Sequence, residues 1–223
     1  MKTIIEIAKE VIRIEANAVA QLEQRINEHF VSAVEIILHC SGRVIVSGMG
    51  KSGIIGRKIV ATLNSTGTPS MFLHPSDAVH GDLGMVREGD VVVCISKSGN
   101  TKELMQLVPM FKRVNAKIIS LVGNIHSPLA KNSDAVLDCS VEQEACPHDL
   151  APTSSTTATL VMGDALAIVL LEQRNFSAED FALFHPGGNL GNSYSSTVKR
   201  EWEEILQLAS QLKFQQSALL SSV

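Results

Sequence analysis

Two short turns hold the residues with the clearest chemical capacity. Gly48-Met-Gly-Lys-Ser-Gly53 and Ser96-Lys-Ser-Gly-Asn-Thr101 each follow an apolar run and precede a helical pattern. Each combines glycine, hydroxyls and a lysine. Backbone N–H groups at a helix N-terminus, flanked by small hydroxyls and aided by the helix dipole, hold an anion such as phosphate. Ser47, Lys51 and Ser52 are the candidates in the first turn, and Ser96, Ser98 and Thr101 in the second. A third hydroxyl cluster, Thr153-Ser-Ser-Thr-Thr157 with Thr153, Ser154 and Ser155 leading, opens another apolar segment directly after Pro152.

The first turn fits G-x-G-x-x-G through Gly48, Gly50 and Gly53, nominally a dinucleotide signal. Its context argues otherwise. A dinucleotide site needs an acid at the end of the second strand to bind ribose, and there the chain has His74. A P-loop needs glycine five residues before Gly50, at the position of Ile45. A turn whose glycines only permit tight packing would leave Lys51 without a purpose. A single Ser98 or Thr101 would read as an ordinary N-cap, but two such turns and a third hydroxyl cluster favour one phosphate with a polyhydroxylated body, a sugar phosphate.

The acids and histidines offer proton transfer. Glu103 lies in the first turn of its helix, where a carboxylate also serves simply to oppose the dipole. Glu144 stands in the loop leading to the third hydroxyl cluster, where a solvated role is the ordinary one. His185 precedes Pro186-Gly-Gly188, and His74 and His80 bracket Pro75–Val79. Cys139, Cys146, His148 and Asp149 match no standard zinc spacing.

Elements that would position these groups are legible in the hydrophobic pattern. Residues 3–28 read as a long amphipathic helix and 31–40 as a second, stopped by Ser41-Gly42. Apolar strands are expected at 44–46, 70–74, 90–96, 116–122 and 135–139, with helices at 52–65 and 101–114 between them. Continuous apolar strands alternating with helices predict an α/β doubly wound domain with a five-stranded parallel sheet covered on both faces. Residues 155–173 read as a helix buried on several sides, 178–184 as a short one, and the tail 192–223 as one helical stretch (Glu201–Leu212) with a fraying end. A single domain over 1–191 with N-terminal helices over 1–42 is the expected organisation.

Composition sets outer bounds. The 223 residues are 45% hydrophobic and 19% charged, a globular profile with ample chain for a core. A net charge of −4, with no local Lys/Arg cluster, predicts no nucleic-acid partner. No uninterrupted apolar run approaches the ~18 residues of a membrane span, and Met1-Lys-Thr-Ile-Ile-Glu lacks a signal core. The four cysteines have no framework spacing, so a reducing cytoplasm is expected.

These motifs together resemble the sugar isomerase (SIS) family, and within it the D-arabinose 5-phosphate isomerases. Beyond the two lysine turns, the matching text is Ser65-Thr-Gly-Thr-Pro69, His74-Pro and His80-Gly-Asp-Leu-Gly84. The most specific is Glu144-Ala-Cys-Pro with Leu150-Ala-Pro-Thr-Ser-Ser-Thr-Thr157, Gly163-Asp-Ala-Leu166 and His185-Pro-Gly-Gly. The resemblance covers roughly residues 5–191.

It implies catalytic roles for Lys51, Glu103, Glu144 and His185, and sugar-phosphate contacts from Gly67, Thr68, His74, His80 and the Ser96–Thr101 turn. It further implies a homotetramer in which a neighbour contributes to each site, which would give the N-terminal helices a purpose. Ribulose 5-phosphate and arabinose 5-phosphate would interconvert through an enediolate. Glu144 is taken as the base with Glu103 its competitor, Lys51 as oxyanion partner, and His185 as the group moving hydroxyl protons. No cofactor or metal is required, though His74 and His80 are open to an inhibitory metal as well as to substrate. A non-catalytic sugar-phosphate sensor, and an SIS isomerase of another ketose phosphate, are the competing readings. Many relatives continue into a pair of regulatory CBS modules, and the ~30 residues after Gly191 are expected to be too few for them. His148-Asp149 stand where relatives typically carry Leu-Gly, which could alter the Glu144 loop.

Overall fold

The computed structural model describes residues 2–185. The Pro186–Gly188 end of the His185 motif and the expected tail helix Glu201–Leu212 lie outside them. In chain order the elements are α1 (Ile4–Ala20), α2 (Glu28–Leu38), β1 (Val44–Gly48), α3 (Gly50–Ser65), β2 (Ser70–Phe72) and α4 (Pro75–Ala78). They continue with β3 (Val91–Ser96), α5 (Lys102–Arg113), β4 (Lys117–Val122), α6 (Pro128–Lys131), β5 (Ala135–Asp138), α7 (Ser154–Gln173) and α8 (Ala178–Phe184). Contacts divide the chain after Asn175 into a first unit, Met1–Asn175, and a second beginning at Phe176.

The five strands form one parallel sheet in the order β2-β1-β3-β4-β5. Successive side chains of a strand point to opposite faces, and here both faces are buried. Val44, Val46, Val93, Ile95 and Leu121 pack with Ile37 of α2, Ile59 and Leu63 of α3, and Met162 and Leu166 of α7. Ile45, Val92, Cys94 and Ile118 pack on the other face with Leu104, Leu107 and Phe111 of α5 and Leu129 of α6. That two-sided burial is why the strands read as unbroken apolar runs. Burial holds the Cys94 and Cys139 thiols up at about 12, so both are inert packing groups.

Several expectations are refined. The long N-terminal helix is interrupted: Leu22 turns into the core, residues 23–25 form a 3-10 turn, and Asn27 caps a new helix by accepting from the His29 N–H at 2.9 Å. Pro75 and Pro128 each start a short helix, α4 and α6, that the periodicity did not reveal. α7 does have the length and composition of a membrane span, yet it lies against α1, α2 and α3 with half its residues buried.

In α1 only Ala18 is buried, while Ile4, Ile5 and Ile12 are 87%, 66% and 69% exposed. The N-terminal part of the apolar stripe that predicted this helix is therefore exposed among the described residues, while the helix lies against α7.

Candidate functional site

In a parallel sheet every strand delivers its following loop to the same edge. Lys51 follows β1, His74 follows β2, Lys97 and Thr101 follow β3, and Glu144 follows β5. The strand order reverses between β1 and β3, the neighbours that step in opposite directions to β2 and β4. Ligands of open α/β sheets bind in the crevice outside the carboxyl ends at such a switch point. Gly48 pairs with Ile95 across it, so the turns bearing Lys51 and Lys97 leave the sheet side by side.

Two adjoining clefts open there. One, of about 190 Å³, is lined by Met49, Lys51, Ser52 and Lys97 and by Ser155, Thr156 and Thr159 of α7. The other is lined by Ser52, Lys97, Ser98, Thr101, Gly123 and Val141, among others. Ser52 and Lys97 belong to both.

The anion-binding capacity of the three hydroxyl clusters is not equal. The N-termini of α3 and α5 have no side-chain cap. In the second turn Ser96 Oγ accepts from the Gly99 N–H at 3.0 Å and lies 2.8 Å from Thr101 Oγ1, a brace that shapes the turn. Gly99 takes φ +62° with Ser127 against it, and a Cβ there would lie 1.9 Å from Ser127 Oγ. The α7 N-terminus is already filled. Glu144 Oε2 accepts from the Thr153 N–H at 2.8 Å, the Ser155 N–H at 3.1 Å and Thr153 Oγ1 at 3.2 Å. Its Oε1 accepts from Ser155 Oγ and, at 2.5 Å, from Lys97 Nζ. A carboxylate from the loop leading into α7 thus caps this 20-residue helix.

That carboxylate has no exposed surface. Burial would raise its pKa, but hydrogen bonds from Lys97, Ser155 and the two backbone N–H groups overrule it and hold the value down to about 2. Glu103, in the first turn of α5, is half-buried and makes no hydrogen bond or ion pair among the described residues.

Other expected site residues fall in distinct places. Lys51 is exposed and Ser52 half-buried, both in the cleft. Ser98 Oγ accepts from the Asn100 N–H at 3.2 Å. His74 is the N-cap residue of α4, 4.0 Å from the Asp77 carboxylate, and exposed His80 follows on the same loop. The structure does not bring the remainder to the clefts. Ser47 is fully buried and donates to the Leu73 carbonyl at 2.8 Å, clasping β1 to the chain leaving β2. Ser154 is fully buried. Gly67 and Thr68 precede β2, at the amino edge of the sheet, where Gly67 takes φ +85° and Thr68 is 1% exposed. In a parallel sheet a loop that precedes its strand lies at the amino edge, so the position of Gly67 and Thr68 ahead of β2 already implies this placement.

His185 belongs to the second unit. Its Nδ1 donates to the Phe181 carbonyl at 2.7 Å and its ring stacks on Phe181 with centroids 3.9 Å apart. In the neutral ring the proton is then on Nδ1, and Nε2 is the acceptor, with no partner among the described residues.

Lys97 was missed as a named candidate. The signal was present, since both turns carry a lysine, but a lysine inside a hydroxyl turn reads as part of the turn.

The SIS domain family matches residues 37–169, from α2 through most of α7. The chain belongs to this family. Arabinose 5-phosphate isomerase KdsD of Pseudomonas aeruginosa is 58% identical over 187 residues, covering 84% of this chain and 57% of that protein. The Escherichia coli K12 enzyme of the same name is 56% identical over 183 residues, covering 82% and 56%. The chain therefore spans a little over half the length of these curated relatives. Among solved structures, Escherichia coli CFT073 c3406 in complex with arabinose 5-phosphate superposes with a TM-score of 0.80 at 41% identity, covering 83% of this chain and all of that one. The α/β sheet with its flanking helices is thus the SIS fold, and the two clefts lie at the switch point of that SIS sheet.

Proposed function

We propose that this protein is an aldose-ketose isomerase interconverting D-ribulose 5-phosphate and D-arabinose 5-phosphate. The observation that carries the reading is the pair of lysines, Lys51 and Lys97, at the β1/β3 switch point beside the uncapped N-terminus of α5. High identity to curated isomerases of this substrate, and to a structure solved with arabinose 5-phosphate, supports it. The aldopentose phosphate would supply Kdo, the eight-carbon acid sugar of lipopolysaccharide or capsule.

The phosphate is assigned to the Ser98–Thr101 turn, where helix N–H groups are free and the dipole favours an anion. A base removes the C1 proton of the ketose, and the electron pair moves through C1–C2 onto the C2 oxygen. The O1 proton passes to O2, the base returns its proton to C2, and the C1 carbonyl forms. A carboxylate suits this shuttle when its pKa lies near working pH. Glu144 has its lone pairs engaged by five donors, so in this reading its competitor Glu103 is taken as the base. Lys51 stabilises the enediolate charge, and His185 moves hydroxyl protons through Nε2. His74 and His80, on the chain that follows β2, are taken as further substrate contacts. The scheme uses no cofactor or metal.

The exposed isoleucines of α1 support a homo-oligomer, taken as a tetramer in which a neighbour completes each site. A single SIS domain over residues 1–191 remains the proposed organisation, acting in the cytoplasm with no nucleic-acid or membrane partner. Incubating purified protein with ribulose 5-phosphate and detecting arabinose 5-phosphate tests the activity. Binding without turnover would turn the reading to a sugar-phosphate sensor, and turnover only of another ketose phosphate would change the substrate.

A further inference from the structure

We propose that Lys97 is a second substrate-contacting cation, fixed in place by Glu144, and that Glu144 acts as its positioning residue. The inference rests on the isomerase reading and assigns two residues within it.

Lys97 is the first residue beyond β3, at the centre of the switch point. Its backbone is clamped: the Gly123 N–H donates to the Lys97 carbonyl at 3.0 Å. A Cβ on Gly123 would lie 2.8 Å from that oxygen, so only glycine permits the approach. Its side chain is clamped as well. Nζ sits 2.5 Å from Glu144 Oε1, and Glu144 in turn is locked by the α7 N-terminus. A lysine stem normally wanders through many rotamers, and this one is tied at both ends.

Lys97 is nonetheless 47% exposed and lines both clefts. An ammonium has three N–H donors, of which Glu144 takes one. Two remain for a ligand. A fixed donor pair requires no reorganisation when negative charge develops, which is the most effective form of electrostatic stabilisation. Exposed Lys51, with no partner among the described residues, is the more mobile of the two cations.

Glu144 is placed for the opposite purpose. With no exposed surface and five donors around two oxygens, it has no lone pair facing substrate. To accept a proton from carbon it would have to give up the α7 cap. Its contribution passes through Lys97, and the ammonium keeps its own proton throughout.

Ligand footprinting and a mutant cycle test this together. Lysines are reductively methylated with and without saturating arabinose 5-phosphate, and each site is read by peptide mass spectrometry. Lys97 is expected to be protected, while Lys117 at the amino edge keeps its reactivity. Unaltered methylation of Lys97 in protein that turns over ribulose 5-phosphate overturns the proposal and leaves the isomerase reading intact. Absence of turnover in the wild type removes that reading, and protection of Lys97 would still support its contact with a sugar phosphate.

In the cycle, Lys97→Met is expected to lower kcat about 10²-fold, with Lys97→Arg recovering part of the loss. Glu144→Gln should lower it about tenfold, and the double variant should match Lys97→Met alone. Lys97→Met strands a buried carboxylate, which disfavours folding. The double variant removes that charge and carries the comparison with Glu144→Gln. A double variant slower than Glu144→Gln by about tenfold supports the pairing, and one equal to it overturns a role for Lys97.

Discussion

Asp149 Oδ1 accepts the backbone N–H of Glu144 at 2.6 Å, and Asp149 does so from a left-handed backbone with φ +52°. Glycine suits that conformation best, since it has no Cβ to oppose it. Asp is one of the few other residues that tolerates it. Asp149 gives up some backbone ease and supplies a side-chain acceptor that braces the Glu144 loop.

Asp149→Ala loses both tolerance and acceptor and is expected to cost about 1–2 kcal/mol. Asp149→Gly loses the acceptor but relieves the backbone, and should stay within about 1 kcal/mol of wild type. Urea denaturation of the three proteins ranks them. Equal midpoints for the alanine and glycine variants would mean that the left-handed turn is not under strain.

Glu144 should govern acid stability. Its folded pKa of about 2 lies below the ordinary glutamate value of 4.5, so the unfolded chain binds the proton first. The stability it contributes is complete above pH 4.5 and is lost as pH falls towards 2, a difference of about 3 kcal/mol. Glu144→Gln should show a flatter decline over that window when denatured at fixed pH steps. An unchanged slope would place the acid sensitivity in other carboxylates.

Glu103→Gln should reduce kcat by about 10²–10⁴-fold with little change in arabinose 5-phosphate affinity or melting temperature. Steady-state kinetics beside calorimetric binding separates these. Near-normal turnover would return the base to another residue.

Gly163→Ala tests how closely α7 lies on α3. A Cβ at Gly163 would stand 2.4 Å from Ile59 Cδ1 and 2.5 Å from Cγ1. Overpacking of this kind costs about 1–3 kcal/mol, against a gain of about 1 kcal/mol in helix propensity. The variant should be destabilised, and less so in an Ile59→Val background, where Cδ1 is gone. Thermal melts of the two pairs would show it; additive effects would mean that the helices separate freely.

Much of this protein was determined locally and could be read without a structure. Val44–Val46, Val91–Ser96 and Lys117–Val122 are strands because β-branched runs must be buried on both faces, and composition alone displays that. The lysine turns followed from glycine and hydroxyl spacing, which is also local. The tertiary structure decided what depends on residues far apart in the chain. Hydrogen bonding turned Ser47 inward to the Leu73 carbonyl. The decisive case is Glu144, 47 residues from Lys97. In sequence it is an ordinary loop glutamate, given the role of a base only by the family resemblance. Only when the end of β5, the turn after β3 and the start of α7 converge does its carboxylate meet five donors, and those donors lower its proton affinity.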